Sequence, residues 1–254
     1  MVRLKLKVMV EWYTLTLYSS PPGRQYFILD PDFPQRLTRS GYDRTVDFIQ
    51  FLFEKYSQCG LTNKSDRDTA ISGLVKRIES ALKTEGRYGV FRCFFSRLLL
   101  WKRSDEEKTG PIDYEGRMVP SWSWMAYNGG IDFMSNSRLM VPGSKDLRFD
   151  TDREALVVKI RQFENCQMEQ EEKEHAIVAN LGRVGSLWFD VATKVEFRHC
   201  VVVGMRGGQE KDPQKTYYIL VVREKPLEKK YERLGVGEVK ACYVSKESDT
   251  RKLV

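Results

Sequence analysis

Apolar residues change their spacing partway along this chain of 254 residues. From about residue 43 to 101 they recur every three or four positions, the period of a helix face. From about residue 156 onward they alternate, the period of a strand. Between these regions lies Val119-Pro120-Ser121-Trp122-Ser123-Trp124-Met125-Ala126-Tyr127-Asn128-Gly129-Gly130. In an extended strand, residues two apart share a face, so Trp122 and Trp124 would point one way and Ser121 and Ser123 the other. Asn128-Gly129-Gly130 tolerates the positive φ of a tight turn, and Ile131-Asp132-Phe133 offers a return strand. The pattern predicts a β-hairpin whose two indoles are buried and anchor the helices onto the sheet.

Three helices are predicted before this run. The first covers Asp43 to Ser57, with Val46, Ile49, Phe53 and Tyr56 on one stripe, widened by Phe48, Phe51 and Leu52. Asp43 or Thr45 offers an N-cap. After the break at Gly60-Leu61-Thr62, Ser65 and Asp68 resemble a capping box that opens a second helix. Ala70, Ile71, Leu74, Val75, Ile78, Ala81 and Leu82 keep its helical spacing, and Gly86 is the predicted stop. Gly73, inside this helix, reads as a point of close helix packing. A third helix is expected from Tyr88 to Trp101, with Phe91, Phe94, Phe95, Leu98 and Leu99 inward and Arg92, Ser96, Arg97 and Lys102 wet.

The later strands are expected at Leu156–Phe163, Ala176–Asn180, Ser186–Asp190, Glu196–Met205, Thr216–Arg223 and Val239–Val244. Glycines such as Gly182, Gly204, Gly235 and Gly237 read as the turns between them. The acidic stretch from Asn165 to Glu174 reads as a mobile loop. Many short strands imply an antiparallel sandwich or barrel. The fold expected is therefore α+β: a helical module of about three helices over 46–118, then an antiparallel β-sandwich or barrel-like domain over 119–245. Residues 1–45, which include an alternating run from Leu4 to Val10 and the breaks at Pro21-Pro22-Gly23 and Pro31 to Pro34, read as an extended lead-in, possible remnant of an upstream domain. Residues 246–254 read as a tail.

Charge and composition narrow the function. The formal net charge of +7 suits a basic nucleic-acid or anionic-surface binding module, the alternative functional reading. The basic residues are scattered, however, which speaks against nucleic acid. No apolar run reaches the roughly 18 residues of a membrane span. The five cysteines (Cys59, Cys93, Cys166, Cys200 and Cys242) include no close pair, which favours a reducing, cytoplasmic setting over a disulfide scaffold.

The chain offers little for catalysis. Its two histidines are His175 and His199, and His199-Cys200 in a strand would face opposite ways. No GxSxG, CxxC or HxxxH occurs, so no catalytic, metal or cofactor site is predicted. Gly204 to Gln209 is glycine-rich but leads into a strand, whereas a phosphate loop leads into a helix N-terminus.

Four ordered stretches resemble fungal heterokaryon-incompatibility (HET) domain proteins. Tyr56-Ser57, Leu61-Thr62, Asp66 and Ala70-Ile71-Ser72-Gly73 are similar to their "YS…LT…D…A(I/L)SG" segment. Tyr88 to Trp101 resembles "Y.aGlW…LLW", although Phe91 stands where the family has tryptophan. Pro120-Ser121-Trp122-Ser123-Trp124 matches their "PSWSW". Tyr217 to Val222 with Tyr231-Glu232-Arg233-Leu234-Gly235-Val236-Gly237 is similar to their "Y.LLv…YeRvGvG" ending. The effector-domain motifs "Y.ALSY.WG" and "RGW..QE" are missing, so the resemblance is to the region C-terminal to that domain. It implies a non-catalytic accessory or regulatory region in fungal non-self recognition, innate immunity and regulated cell death, partnered by other proteins or by the HET effector domain.

Overall fold

The computed structural model describes residues 14–20, 24–30, 34–104, 110–134, 147–171, 174–180, 182–191, 198–207 and 215–254. The run from Leu4 to Val10 lies outside the described residues. Strands β1 (Thr14–Ser20) and β2 (Arg24–Asp30) pair as an antiparallel hairpin, Thr14 opposite Asp30. The fold is α+β, a helical module followed by a mostly antiparallel β region.

Helices α1 (Tyr42–Ser57) and α2 (Arg67–Leu82) follow the predicted stripes. Val46, Ile49, Phe53 and Tyr56 of α1 are buried, as are Ile71, Leu74, Val75 and Ile78 of α2. The caps differ from expectation. Gly41 (φ 79°) caps α1, a conformation open to glycine at no steric cost. Thr45 lies inside the helix, its hydroxyl donating to the Leu37 and Gly41 carbonyls. Asp43 sits in the first turn, where its charge complements the helix dipole. No capping box forms at α2: the residues before it make a 3-10 turn, and the Asp68 carboxylate accepts from its neighbour Thr69 and from Arg117. Lys83, at φ 49°, ends α2, ahead of the predicted stop at Gly86. Gly73 is exposed, so no helix packs there.

The third predicted helix is mostly replaced. Tyr88 and Gly89 adopt positive φ and form the turn of a small hairpin, β3 (Gly86–Arg87) with β4 (Val90–Phe91). Helical structure is limited to a 3-10 turn at Arg92–Phe94 and the single-turn α3 (Phe95–Leu98), and β5 (Trp101–Arg103) follows. Ser96 and Arg97, expected in water, are buried, while Arg92 is exposed as expected, so the stretch from Phe94 to Trp101 is covered on all sides. Arg97 is tied to Asp47 at 2.9 Å.

The tryptophan run is not a hairpin. Ser121 and Trp122 form a turn and Trp124–Ala126 a 3-10 helix, capped by the Ser123 hydroxyl, which accepts from Met125 N. The return strand β6 (Ile131–Phe133) pairs with β5, Trp101 opposite Phe133.

The β region is a nine-stranded sheet comprising β7 (Leu147–Phe149), β8 (Leu156–Gln162), β9 (Gln167–Gln170), β10 (His175–Ala179), β11 (Gly182–Phe189), β12 (His199–Arg206), β13 (Thr216–Lys225), β14 (Lys230–Lys240) and β15 (Asp249–Leu253). The order β13-β12-β8-β15-β14, with β14 also paired to β13, closes a five-stranded ring. Its joins are antiparallel except for one parallel bridge, Tyr231 to Leu253. From β14 the sheet continues through β11, β10 and β9. Gln167–Gln170, expected in a loop, is a strand because its backbone completes the edge of β10. The predicted tail supplies β15, which fills the gap between β8 and β14.

Both faces of β13 are buried, as its continuous apolar run requires. Tyr218, Leu220 and Val222 join one cluster with Val158, Val201 and Leu253, and that cluster is continuous with α1, α2 and the three tryptophans. Ile219 and Val221 face a second cluster with Leu187, Phe189 and Cys200. The helical module and the ring thus share one core.

Gly235 and Gly237 lie within β14, opposite Phe189 and Leu187 of β11. A Cβ on Gly235 would fall 2.3 Å from the Trp188 carbonyl oxygen, and one on Gly237 would fall 2.4 Å from that of Ser186. These glycines admit a neighbouring strand rather than making turns.

Candidate functional site

The family-like residues are dispersed in sequence, and most of them meet in one buried junction. Trp101, Trp122 and Trp124 are fully buried. The two tryptophans of the PSWSW run diverge. Trp124 reaches the helices, 5.2 Å from the ring of Phe53 and 5.9 Å from that of Tyr56. Trp122 turns towards the sheet, 6.3 Å from Phe149, and donates its indole N–H to the Glu154 carbonyl. Trp101 Nε1 donates to the Trp122 carbonyl at 3.1 Å. Gly89 lies over Trp124 so closely that a Cβ would sit 2.6 Å from Nε1. That N–H has no hydrogen-bond partner among the described residues.

The serines act as ties. The Ser123 hydroxyl donates to the Tyr88 carbonyl at 2.8 Å, and Pro120 is buried beside it. The Ser121 hydroxyl donates to the Val254 carbonyl and accepts from Arg233 N, so one side chain joins the junction to both β15 and β14. The Ser57 hydroxyl donates to the Glu54 carbonyl and accepts from Ile131 N, linking α1 to β6. Tyr56 donates to the Arg67 carbonyl at 2.6 Å, and burial pushes its phenol pKa well above the ordinary value. Gly235 and Gly237 let β11 pack against β14, as described above, rather than touching the tryptophans. Leu61 and Ala70 pack at its margin. Thr62, Asp66 and Gly73 are exposed and do not enter it.

At the centre is a pair that the residue patterns did not single out, although Arg233 stands in the family-like ending. Arg233 and Asp190 are both wholly buried, with Nε–Oδ2 at 2.8 Å and Nη2–Oδ1 at 3.1 Å. The guanidinium also donates to the Leu99 and Trp101 carbonyls and lies 3.5 Å from the Trp101 ring centroid. A planar five-donor fork suits this combination of bidentate pairing, carbonyl contacts and stacking. Arg103 donates to the Asp190 carbonyl. Burial, reinforced by the Asp190 charge, raises the phenol pKa of the neighbouring Tyr127. Arg67 is a further buried cation: it donates to the Gly129 carbonyl at 2.9 Å and lies 5.1 Å from the Trp124 ring. The one available signal for both was an arginine embedded in an apolar or turn context.

The histidines belong to different surroundings. His175 meets the edge of Phe189 at 4.8 Å, and His199 meets Tyr231 at 5.5 Å. His199 lines a small cleft with Ser245, whose hydroxyl donates to the Glu247 carbonyl and accepts from Gln162 N. That hydroxyl is therefore committed to the backbone. Among the described residues no group of His, Cys, Asp or Glu could hold a metal ion, and no helix is long and apolar enough to cross a membrane. The five cysteines form no disulfide, and burial pushes the Cys200 thiol up to about 12.

The arrangement is a rigid clamp: aromatic rings, serine ties and a buried ion pair hold two helices against a closed ring of strands. Comparison with protein families, curated proteins and solved structures gives no match.

Proposed function

We propose that this chain is a non-catalytic accessory or regulatory region of a HET-like protein, working in the cytoplasm of a fungus in non-self recognition and regulated cell death. One observation carries the reading. Tyr56, Ser57, Trp101, Pro120 to Trp124 and Arg233 lie as far apart in sequence as residues 56 and 233, yet they assemble into one buried junction. Residues that converge in this way define a scaffold, and the buried hydroxyls and indoles are engaged in holding it together. A scaffold of this kind presents outer surfaces to a protein partner, and the HET effector domain is the partner the resemblance supplies.

Expression of the chain in a filamentous fungus tests the reading in two arms. Alone, it should leave colony growth unchanged; death would contradict the non-effector role. Co-expressed with an active HET effector domain, it should change the surviving fraction. Unchanged survival with both proteins present would contradict the regulatory role.

A further inference from the structure

The hairpin joining β13 to β14 carries the most exposed large apolar side chain among the described residues. Leu227 is 102% exposed, standing at the apex of the turn Lys225-Pro226-Leu227-Glu228-Lys229-Lys230. The turn is rigid. Glu228 N and Lys229 N both donate to the Lys225 carbonyl at 3.0 Å, Lys229 takes the left-handed conformation at φ 54°, and Pro226 fixes its own φ. The leucine is thus presented to solvent on a preformed loop, with little conformational freedom left to lose on docking.

The next three residues of the chain, Glu228, Lys229 and Lys230, line an open groove of about 570 Å³. Arg148, Lys229, Lys230, Arg251 and Lys252 line it, against the acids Asp150 and Glu228. Lys252 pairs with Asp150 at 2.7 Å and Arg251 with Asp249 at 3.4 Å. Arg148 and Lys229 form no ion pair among the described residues, and both are exposed. The basic residues, scattered in sequence, are gathered here because β7, β15 and the β13–β14 turn meet at one end of the ring.

We propose that this end of the ring docks on an anionic lipid bilayer, with Leu227 entering the headgroup–acyl boundary and the groove cations meeting lipid phosphates and carboxylates. An apolar tip ringed by lysines matches the layering of such a surface, polar and negative outside and apolar within. Nucleic acid fits less well: a single strand is held by exposed aromatic rings on which bases stack, and no aromatic residue lines the groove. The proposal is independent of the HET-like reading.

Vesicle co-sedimentation of the whole chain tests it. Large vesicles of phosphatidylcholine, and of phosphatidylcholine with 30% phosphatidylserine, would be compared at 0.1 M and 0.5 M KCl. Strong preference for the anionic vesicles, lost at the higher salt, is expected. Lys229→Ala with Lys230→Ala should weaken partitioning about 25-fold, at roughly fivefold per charge near an anionic surface. Leu227→Asp should weaken it about tenfold or more by removing the apolar insertion. Leu227→Trp should retain binding and shift its emission to the blue on anionic vesicles. Melting temperatures should stay unchanged, since the turn is exposed. Equal partitioning onto both vesicle types overturns the proposal, as does full retention of binding by Leu227→Asp. Tight capture of a 20-nucleotide single strand that depends on the lysines and ignores Leu227 would assign the groove to nucleic acid and also overturn it.

Discussion

Arg233 and Asp190 form an ion pair with no solvent access on either side chain, and the arginine's two remaining partners are the carbonyls of Leu99 and Trp101. The pair therefore ties the end of β11 and the middle of β14 to the segment that leaves the helical module. Removing one member strands a charge in the interior, which costs about 3–5 kcal/mol. Asp190→Asn and Arg233→Met should each lower stability by that amount in urea titrations. Replacing both, as Arg233→Met with Asp190→Leu, should cost less than the two single losses combined, because no charge is left unpaired. Additive losses would show that the pair is not energetically coupled.

Trp124→Ala and Trp122→Ala should each destabilise by about 3–5 kcal/mol, the range for truncating a large buried aromatic. The changes act on opposite sides of the junction, Trp124 against Phe53 and Tyr56, Trp122 against Phe149. Losses under about 1 kcal/mol in a chemical denaturation series would place the rings outside the core.

Two glycine substitutions should differ in sign. Gly237→Ala puts a methyl 2.4 Å from the Ser186 carbonyl oxygen, so β11 and β14 must part and the protein should fail to fold or lose several kcal/mol. Gly73→Ala, on the exposed side of α2, should gain about 1 kcal/mol from helix propensity alone. Thermal melts of the two variants check both signs.

Stability should also fall in alkali. Burial raises the phenol pKa values of Tyr56, Tyr114 and Tyr127 above the ordinary 10.0. A raised folded-state pKa contributes stability that is complete below the unfolded value. It is lost as pH climbs above about 10, because the unfolded chain then releases the proton first. Each such tyrosine should cost about 1.4 kcal/mol per pH unit beyond that point. Urea midpoints at pH 9, 10 and 11 should fall progressively more steeply, and Tyr56→Phe should reduce the slope.

The two long helices and the β period were legible because each has one wet side: the stripe of α1 and the alternation of β8 mark the face that meets the core. Legibility failed where burial is complete. From Val90 to Trp101 nearly every side chain is enclosed, so no period distinguishes helix from strand, and the positive φ at Tyr88 and Gly89 redirects the chain. The alternation of Trp122 and Trp124 suggested a strand with a shared face, yet the two rings enter different parts of the core from a turn. β15 was hidden by its charges: Asp249, Thr250 and Arg251 face water, and Leu253 alone of the strand is fully buried. Gly235 and Gly237 looked like turns because a sequence does not show which strand passes close by. The partnership of Asp190 with Arg233 joins residues 43 positions apart and left no local mark.

The central claim is that helices and ring form one cooperative unit through this junction. Native-state hydrogen exchange on the wild type and on Trp124→Ala tests it most directly. The slowest amides of α1 and β14 should exchange through the same global opening, and the substitution should lower both opening energies equally, by about 3–5 kcal/mol. Weakened protection in α1 with β14 unchanged would contradict it, showing two units that unfold separately.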